Sequence, residues 1–123
     1  MQQLTALVVD DEAVMRTLYE LVLGAVGFTI QYAADGEQAL VLLQRLQPDV
    51  IFLDMLLPKH DGREVLDYCE SVPRLRSTPV VIVSAHSHFR QLLTLKPTDR
   101  FLVKPVRPSQ MREAALAAIS HRV

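Results

Sequence analysis

Leu4-Thr5-Ala6-Leu7-Val8-Val9-Asp10-Asp11-Glu12 is a short, nearly continuous apolar run that ends abruptly in acids. A strand covered on both faces has this composition, because neither face meets water. From Glu12 onward the period changes. Met15, Leu18, Val22 and Ala25 fall on one helical face, and Gly27 supplies a helix stop. A buried strand handing over to an amphipathic helix opens a βαβ unit, so the stretch predicts a parallel sheet flanked by helices.

The alternation continues to the end of the chain. Phe28–Ala33 forms a second strand segment, and Asp35 with Gln38 makes a capping-box pattern ahead of the stripe Ala39, Leu40, Leu43 and Leu46. Pro48-Asp49 breaks that helix and Val50–Leu53 is the third strand. Met55 to Gly62 is a loop containing the turn formers Pro58, Asp61 and Gly62, followed by a helix of about Arg63–Glu70. Pro79 precedes the fourth strand, Val80–Val83, an allowed place for proline. Residues Ser87 to Leu95 predict one short helix that Pro97 stops, Arg100–Val103 is the fifth strand, and Pro108 suits the first turn of a last helix carrying Met111, Ala115, Ala118 and Ile119. No repeat, linker or low-complexity tract interrupts the pattern. The expectation is one α/β domain over residues 1–123, with five strands and five helices.

Composition excludes several function classes. Half of the 123 residues are apolar and 22% are charged, which suits a compact domain able to bury a core. The formal net charge is −1 and no basic block exists, so nothing points to nucleic acid as a partner. The apolar runs are strand-sized, well short of a membrane span, and Met1-Gln2-Gln3 does not lead into a signal-like core; the expectation is a cytoplasmic protein. Cys69 is the only cysteine, a free thiol on a helix face with no companion at metal spacing.

Chemistry collects where the apolar runs end. Asp10 and Asp11 follow the first strand, Asp54 the third, Ser84 the fourth, and Lys104-Pro105 the fifth. Taken singly, each has a plain reading as a cap, a buried acid or a solvated lysine. In an open parallel sheet, however, the carboxyl ends of the strands share one edge, which is where ligands bind. Three carboxylates in one cleft repel one another unless a cation joins them, and Mg²⁺ suits an all-oxygen donor set that keeps waters for phosphate to replace. No histidine or cysteine is placed for zinc. A carboxylate beside Mg²⁺ and facing an ammonium is a nucleophile poised for phosphorus, so Asp54 would attack and become an aspartyl phosphate, with Lys104 and Ser84 contacting the phosphoryl oxygens.

The chain resembles the receiver domains of two-component response regulators. The match is carried by Val8-Val9-Asp10-Asp11-Glu12, by Leu53-Asp54-Met55 with Pro58 and Asp61-Gly62, by Val83-Ser84-Ala85, and by Phe101-Leu102-Val103-Lys104-Pro105, in that order over essentially the whole chain. The resemblance implies a flavodoxin-like, doubly wound five-stranded sheet of order 2-1-3-4-5. It implies Asp54 as phosphoacceptor and modified residue. Asp10 and Asp11 are the acidic pair for Mg²⁺, with the backbone carbonyl of Leu56 as a further ligand. Ser84 becomes the hydroxyl that follows the phosphoryl group, Lys104 its cationic contact, Pro105 a cis proline, and Phe101 the aromatic switch, which would have to be held inward by packing alone. It also implies a sensor histidine kinase or histidine phosphotransfer protein as donor. A homodimer or output partner would dock on the Ser87–Val123 face, with neither nucleic acid nor membrane involved. The chain would be a signalling phosphoacceptor, not an enzyme in the usual sense, though it would catalyse its own phosphorylation and dephosphorylation.

The resemblance is loosest at Lys96-Pro97-Thr98-Asp99-Arg100, where most receivers carry a Gly-Ala pair. Leu56 and His86, two positions after Asp54 and Ser84, would flank an attacking water, and the apolar Leu56 is expected to slow loss of the phosphoryl group. Three other classes fit less well. A binding module of the same fold would not need the complete acid set. A phosphatase of the haloacid-dehalogenase type wants a second aspartate where Leu56 stands, and a flavin binder wants a hydroxyl-rich phosphate loop where Asp10-Asp11 stands.

Overall fold

A computed structural model describes residues 3–55 and 62–120. Strands β1 (Leu4–Val9), β2 (Phe28–Ala33), β3 (Val50–Asp54), β4 (Val80–Ser84) and β5 (Arg100–Val103) alternate with helices α1 (Ala13–Val26), α2 (Gly36–Leu43), α3 (Gly62–Ser71), α4 (Phe89–Leu92) and α5 (Pro108–Ser120). All strand pairs are parallel, in the order β2-β1-β3-β4-β5. This is the doubly wound, flavodoxin-like arrangement expected from the sequence. Leu56, Pro58 and Asp61 lie outside the described residues.

Every residue of β3 and β4 is buried, as is the second half of β1. Side chains alternate across the sheet, so the continuous apolar runs divide into two cores. Leu7, Val9, Ile51, Leu53 and Ile82 face Ala39, Leu43, Val65, Leu66 and Cys69 of α2 and α3. Ala6, Val8, Phe52, Val81 and Val83 face Tyr19 and Leu23 of α1 and Met111, Ala115 and Ala118 of α5. On the second face Tyr19 packs edge-on against Phe52, ring centroids 5.3 Å apart.

The helix ends follow their sequence signals. Gly27 takes φ 113° and its amide donates to the Leu23 and Gly24 carbonyls, closing α1 in a conformation glycine adopts without strain. Asp35 Oδ1 accepts from the Gln38 amide at 2.8 Å, while Gln38 Oε1 accepts from the Ala34 amide at 2.9 Å, one residue earlier than a standard capping box. α4 is shorter than the predicted segment. It ends at Leu92, and the backbone of Leu93 is already extended, well before Pro97. A short 3₁₀ turn over Pro73–Leu75 bridges α3 and β4.

The segment before β5 is held by Asp99. Its carboxylate accepts from the Val80 amide at 2.9 Å, the Lys96 amide at 3.1 Å and the Lys96 ammonium at 2.6 Å. Lys96 therefore helps fix the start of β4 against the entry to β5.

Candidate functional site

The strand registers place the site. Val9 pairs with Leu53, so Asp10 and Asp54 follow side by side; Asp54 pairs with Val83, and Ser84 pairs with Val103, which Lys104 follows. Residues far apart in sequence thus reach one rim because four parallel strands end there. The Asp10 amide donates to the Ala33 carbonyl at 3.0 Å and the Lys104 amide to the Ser84 carbonyl at 2.8 Å, so the pairing runs past the strand ends and fixes both side chains.

Lys104 is the hub. Its Nζ lies 2.5 Å from Glu12 Oε1, 3.2 Å from Asp54 Oδ2 and 3.7 Å from Asp10 Oδ2. Carboxylate oxygens of Asp10, Glu12 and Asp54 lie within 4.8 Å of one another. Asp10 and Asp54 are buried and Glu12 exposed. Burial pushes the Asp10 carboxyl up from its ordinary value, against the opposing pull of the Glu12 amide on Oδ1 (2.9 Å) and of the Lys104 ammonium. The surrounding acids drive the Lys104 ammonium strongly upward despite its partial burial, so it stays charged.

A divalent cation fits this donor set. The donors are hard oxygens, and Asp10 Oδ2 is buried without a hydrogen-bond partner, with the Lys104 ammonium 3.7 Å away, so it is free to take a metal. Asp10 and Asp54 would hold the ion, with Glu12 within reach.

Of the residues singled out from the sequence, Asp10, Asp54 and Lys104 come together. Asp11 is exposed and is not one of the three carboxylates that meet. Ser84 is buried at the same rim, its Oγ accepting from the His86 amide at 3.1 Å. The Lys104-Pro105 bond is cis. Glu12 reads in sequence only as the opening of a helix; a contact spanning 92 residues brings its carboxylate to Lys104. Phe101 is buried in the core on the α3 side, its ring under the Arg90 guanidinium at 5.1 Å, and the Arg90 Nη2 donates to the Phe101 carbonyl at 3.1 Å. Packing alone is therefore not what holds the ring inward; a cation–π contact and a backbone hydrogen bond join it.

Beside the cluster runs an open groove of ≈ 380 Å³ lined by Glu12, Val14, Met15, Lys104, Pro105 and Val106. A larger depression, ≈ 440 Å³, lies at the opposite edge of the sheet around Gln47, Asp49 and Thr78, away from the gathered acids. Among the described residues no helix is long and apolar enough to cross a membrane.

The family profile described as the response regulator receiver domain matches residues 6–116. The chain belongs to that family. The receiver is 34% identical to the probable transcriptional regulator ycf27 of Porphyridium aerugineum, over 100% of this chain and 50% of that protein. It is 32% identical to the transcriptional regulatory protein AfsQ1 of Streptomyces coelicolor, over 94% and 51% respectively. It thus spans about half the length of these curated relatives. Its fold is similar to that of the chemotaxis response regulator CheY4 of Vibrio cholerae, at a TM-score of 0.84 with 24% identity over 95% of this chain and 99% of that one. The receiver domain of the sensor histidine kinase PA1611 from Pseudomonas aeruginosa gives 0.84 and 23% over 97% and 99%; that structure has a magnesium ion coordinated in its active-site cleft. As a response regulator receiver domain, the chain is a two-component signalling protein and not a classical enzyme.

Proposed function

We propose that Asp54 accepts a phosphoryl group from the phosphohistidine of a sensor kinase or histidine phosphotransfer protein in a Mg²⁺-dependent reaction, and that the receiver then changes conformation to signal downstream. The observation that carries this reading is the ammonium of Lys104 set among the buried carboxylates of Asp10 and Asp54, one of whose oxygens has no hydrogen-bond partner.

An Asp54 carboxylate oxygen attacks phosphorus, forming an O–P bond as the P–N bond to the donor imidazole breaks. The electron pair leaves with the imidazole nitrogen, and the product is an acyl phosphate. Transfer of this kind asks the protein mainly for alignment and for positive charge at the equatorial oxygens. Lys104 supplies one such charge and Ser84 a hydroxyl. Asp10 and Asp54 would hold a Mg²⁺ ion, joined, as the family resemblance implies, by Asp11 and the backbone carbonyl of Leu56, and that ion would supply the rest of the neutralisation. The groove beside Lys104, with Val14 81% exposed at its margin, suits an apolar helix face bringing the phosphohistidine.

Phosphorylation would favour an active arrangement through Ser84 and Phe101. A second copy of the chain or an output partner would read it on the face from Ser87 onward, and relatives named as transcriptional regulators support an output of that kind. The reaction would take place in the cytoplasm, and autodephosphorylation would return the domain to rest.

Incubation with acetyl phosphate and Mg²⁺, followed by intact mass measurement, tests the reading. The wild-type chain should gain one phosphoryl group, while Asp54→Asn and metal-chelated samples should gain none. A wild-type chain that gains nothing would make the domain a binding module that works without phosphorylation.

A further inference from the structure

Glu12 occupies the N-cap position of α1, yet its carboxylate accepts no hydrogen bond from that helix. Oε1 instead takes the Lys104 ammonium at 2.5 Å, closer than Asp54 Oδ2 at 3.2 Å or Asp10 Oδ2 at 3.7 Å. Its side chain is 56% exposed, against 8% for Asp54 and 1% for Asp10, so the strongest partner of the ammonium is also the outermost. The Glu12 amide meanwhile donates to Asp10 Oδ1 at 2.9 Å. One residue thus grips the inner acid with its backbone and the cation with its side chain.

We propose that Glu12 is a positioning residue that draws the Lys104 ammonium to the rim of the cleft and so keeps Asp10 and Asp54 open to a divalent cation. Lysine carries a compact charge on a flexible four-carbon stem, and it settles wherever the nearest carboxylates pull hardest. Without the reach of Glu12, the same ammonium sinks between Asp54 Oδ2 and Asp10 Oδ2, both already within ion-pair distance. There it neutralises the two buried acids and competes for the position a metal needs. The proposal rests on the Mg²⁺ reading of the site given above.

A plain field effect of one more acid near a divalent ion predicts something different, and the charge-conserving variant separates the two. Glu12→Asp keeps the charge and withdraws the carboxylate by one methylene. Mg²⁺ affinity is measured by calorimetry on the intact chain for wild type, Glu12→Asp, Glu12→Gln, Lys104→Ala and the Glu12→Asp/Lys104→Ala double variant, with thermal midpoints confirming that each is folded. Glu12→Asp and Glu12→Gln should each weaken Mg²⁺ about fivefold or more, and Glu12→Asp should cost less than about twofold once Lys104 is gone. Wild-type affinity in Glu12→Asp overturns the proposal. So does an Asp penalty that persists without Lys104, since Glu12 would then act on the metal directly. If even the wild type takes up no Mg²⁺, the metal reading of the site falls, and this proposal with it.

Discussion

Arg90, an exposed side chain, makes two contacts to the buried Phe101. The guanidinium lies over the ring and also donates to the Phe101 carbonyl. Arg90→Met keeps the aliphatic stem and removes both contacts, and should cost about 1 kcal/mol while speeding hydrogen exchange in β5. Unchanged exchange there would show that Phe101 stays inward by packing. Cys69 offers a separate check. Burial pushes its thiol from 9.0 to about 11. Between those values the unfolded chain has lost the proton and the folded chain retains it, so stability falls as pH rises through pH 9 to 11. Up to about 2 kcal/mol of that fall should vanish in Cys69→Ala, read from urea midpoints at pH 8 and 11. Legibility in the sequence differed residue by residue for a physical reason. Asp10, Asp54 and Lys104 stood out because each ends a strand, and strand ends are visible as the close of an apolar run. Glu12 did not, because its role is a contact made across the fold by a residue that otherwise looks like the opening of a helix.

At the scale of elements, the start of α3 at Gly62 lies tightly against the end of β3. A Cβ built at Gly62 would lie 2.6 Å from the Asp54 carbonyl oxygen and 2.6 Å from Met55 Cα, both backbone atoms with little room to move. The Gly62 amide also donates to the Met55 carbonyl at 3.1 Å. Gly62→Ala should therefore cost about 2 kcal/mol in denaturant unfolding. By displacing the end of β3, it should also slow acetyl phosphate labelling of Asp54. The sequence marked Gly62 as a turn former, whereas the structure makes it the close contact between a helix start and the strand that carries Asp54. Strands and long helices were legible because their periods are set by two-sided burial. α4 was legible as a short helix but not in its length, because few apolar residues anchor it: Phe89 and Leu93 pack against the core only in part, and the bracket around Asp99 replaces what a longer helix would supply.

For the molecule as a whole, burial grades outward from the centre of the sheet. β3 and β4 are buried throughout, β2 alternates, and the residues from Ala85 to Arg100 are exposed or half-buried. Native-state hydrogen exchange should follow that gradient, with amides of β1, β3 and β4 slowest and those of residues 86–98 fastest by orders of magnitude. Slow exchange in the α4 region would contradict it. The sheet order and its two cores were foreseeable from the alternation alone, since a parallel sheet needs cover on both faces. Asp54 is rooted in a strand buried along its whole length, while the residues that follow Ser84 are exposed and lead into the shortest helix. On the proposed reading, a charge added at that carboxylate would find no yielding at its root, so relief would run sideways, as a wedge in a vice with one fixed jaw shifts only the other. The route of the message would then be decided by where rigidity stops.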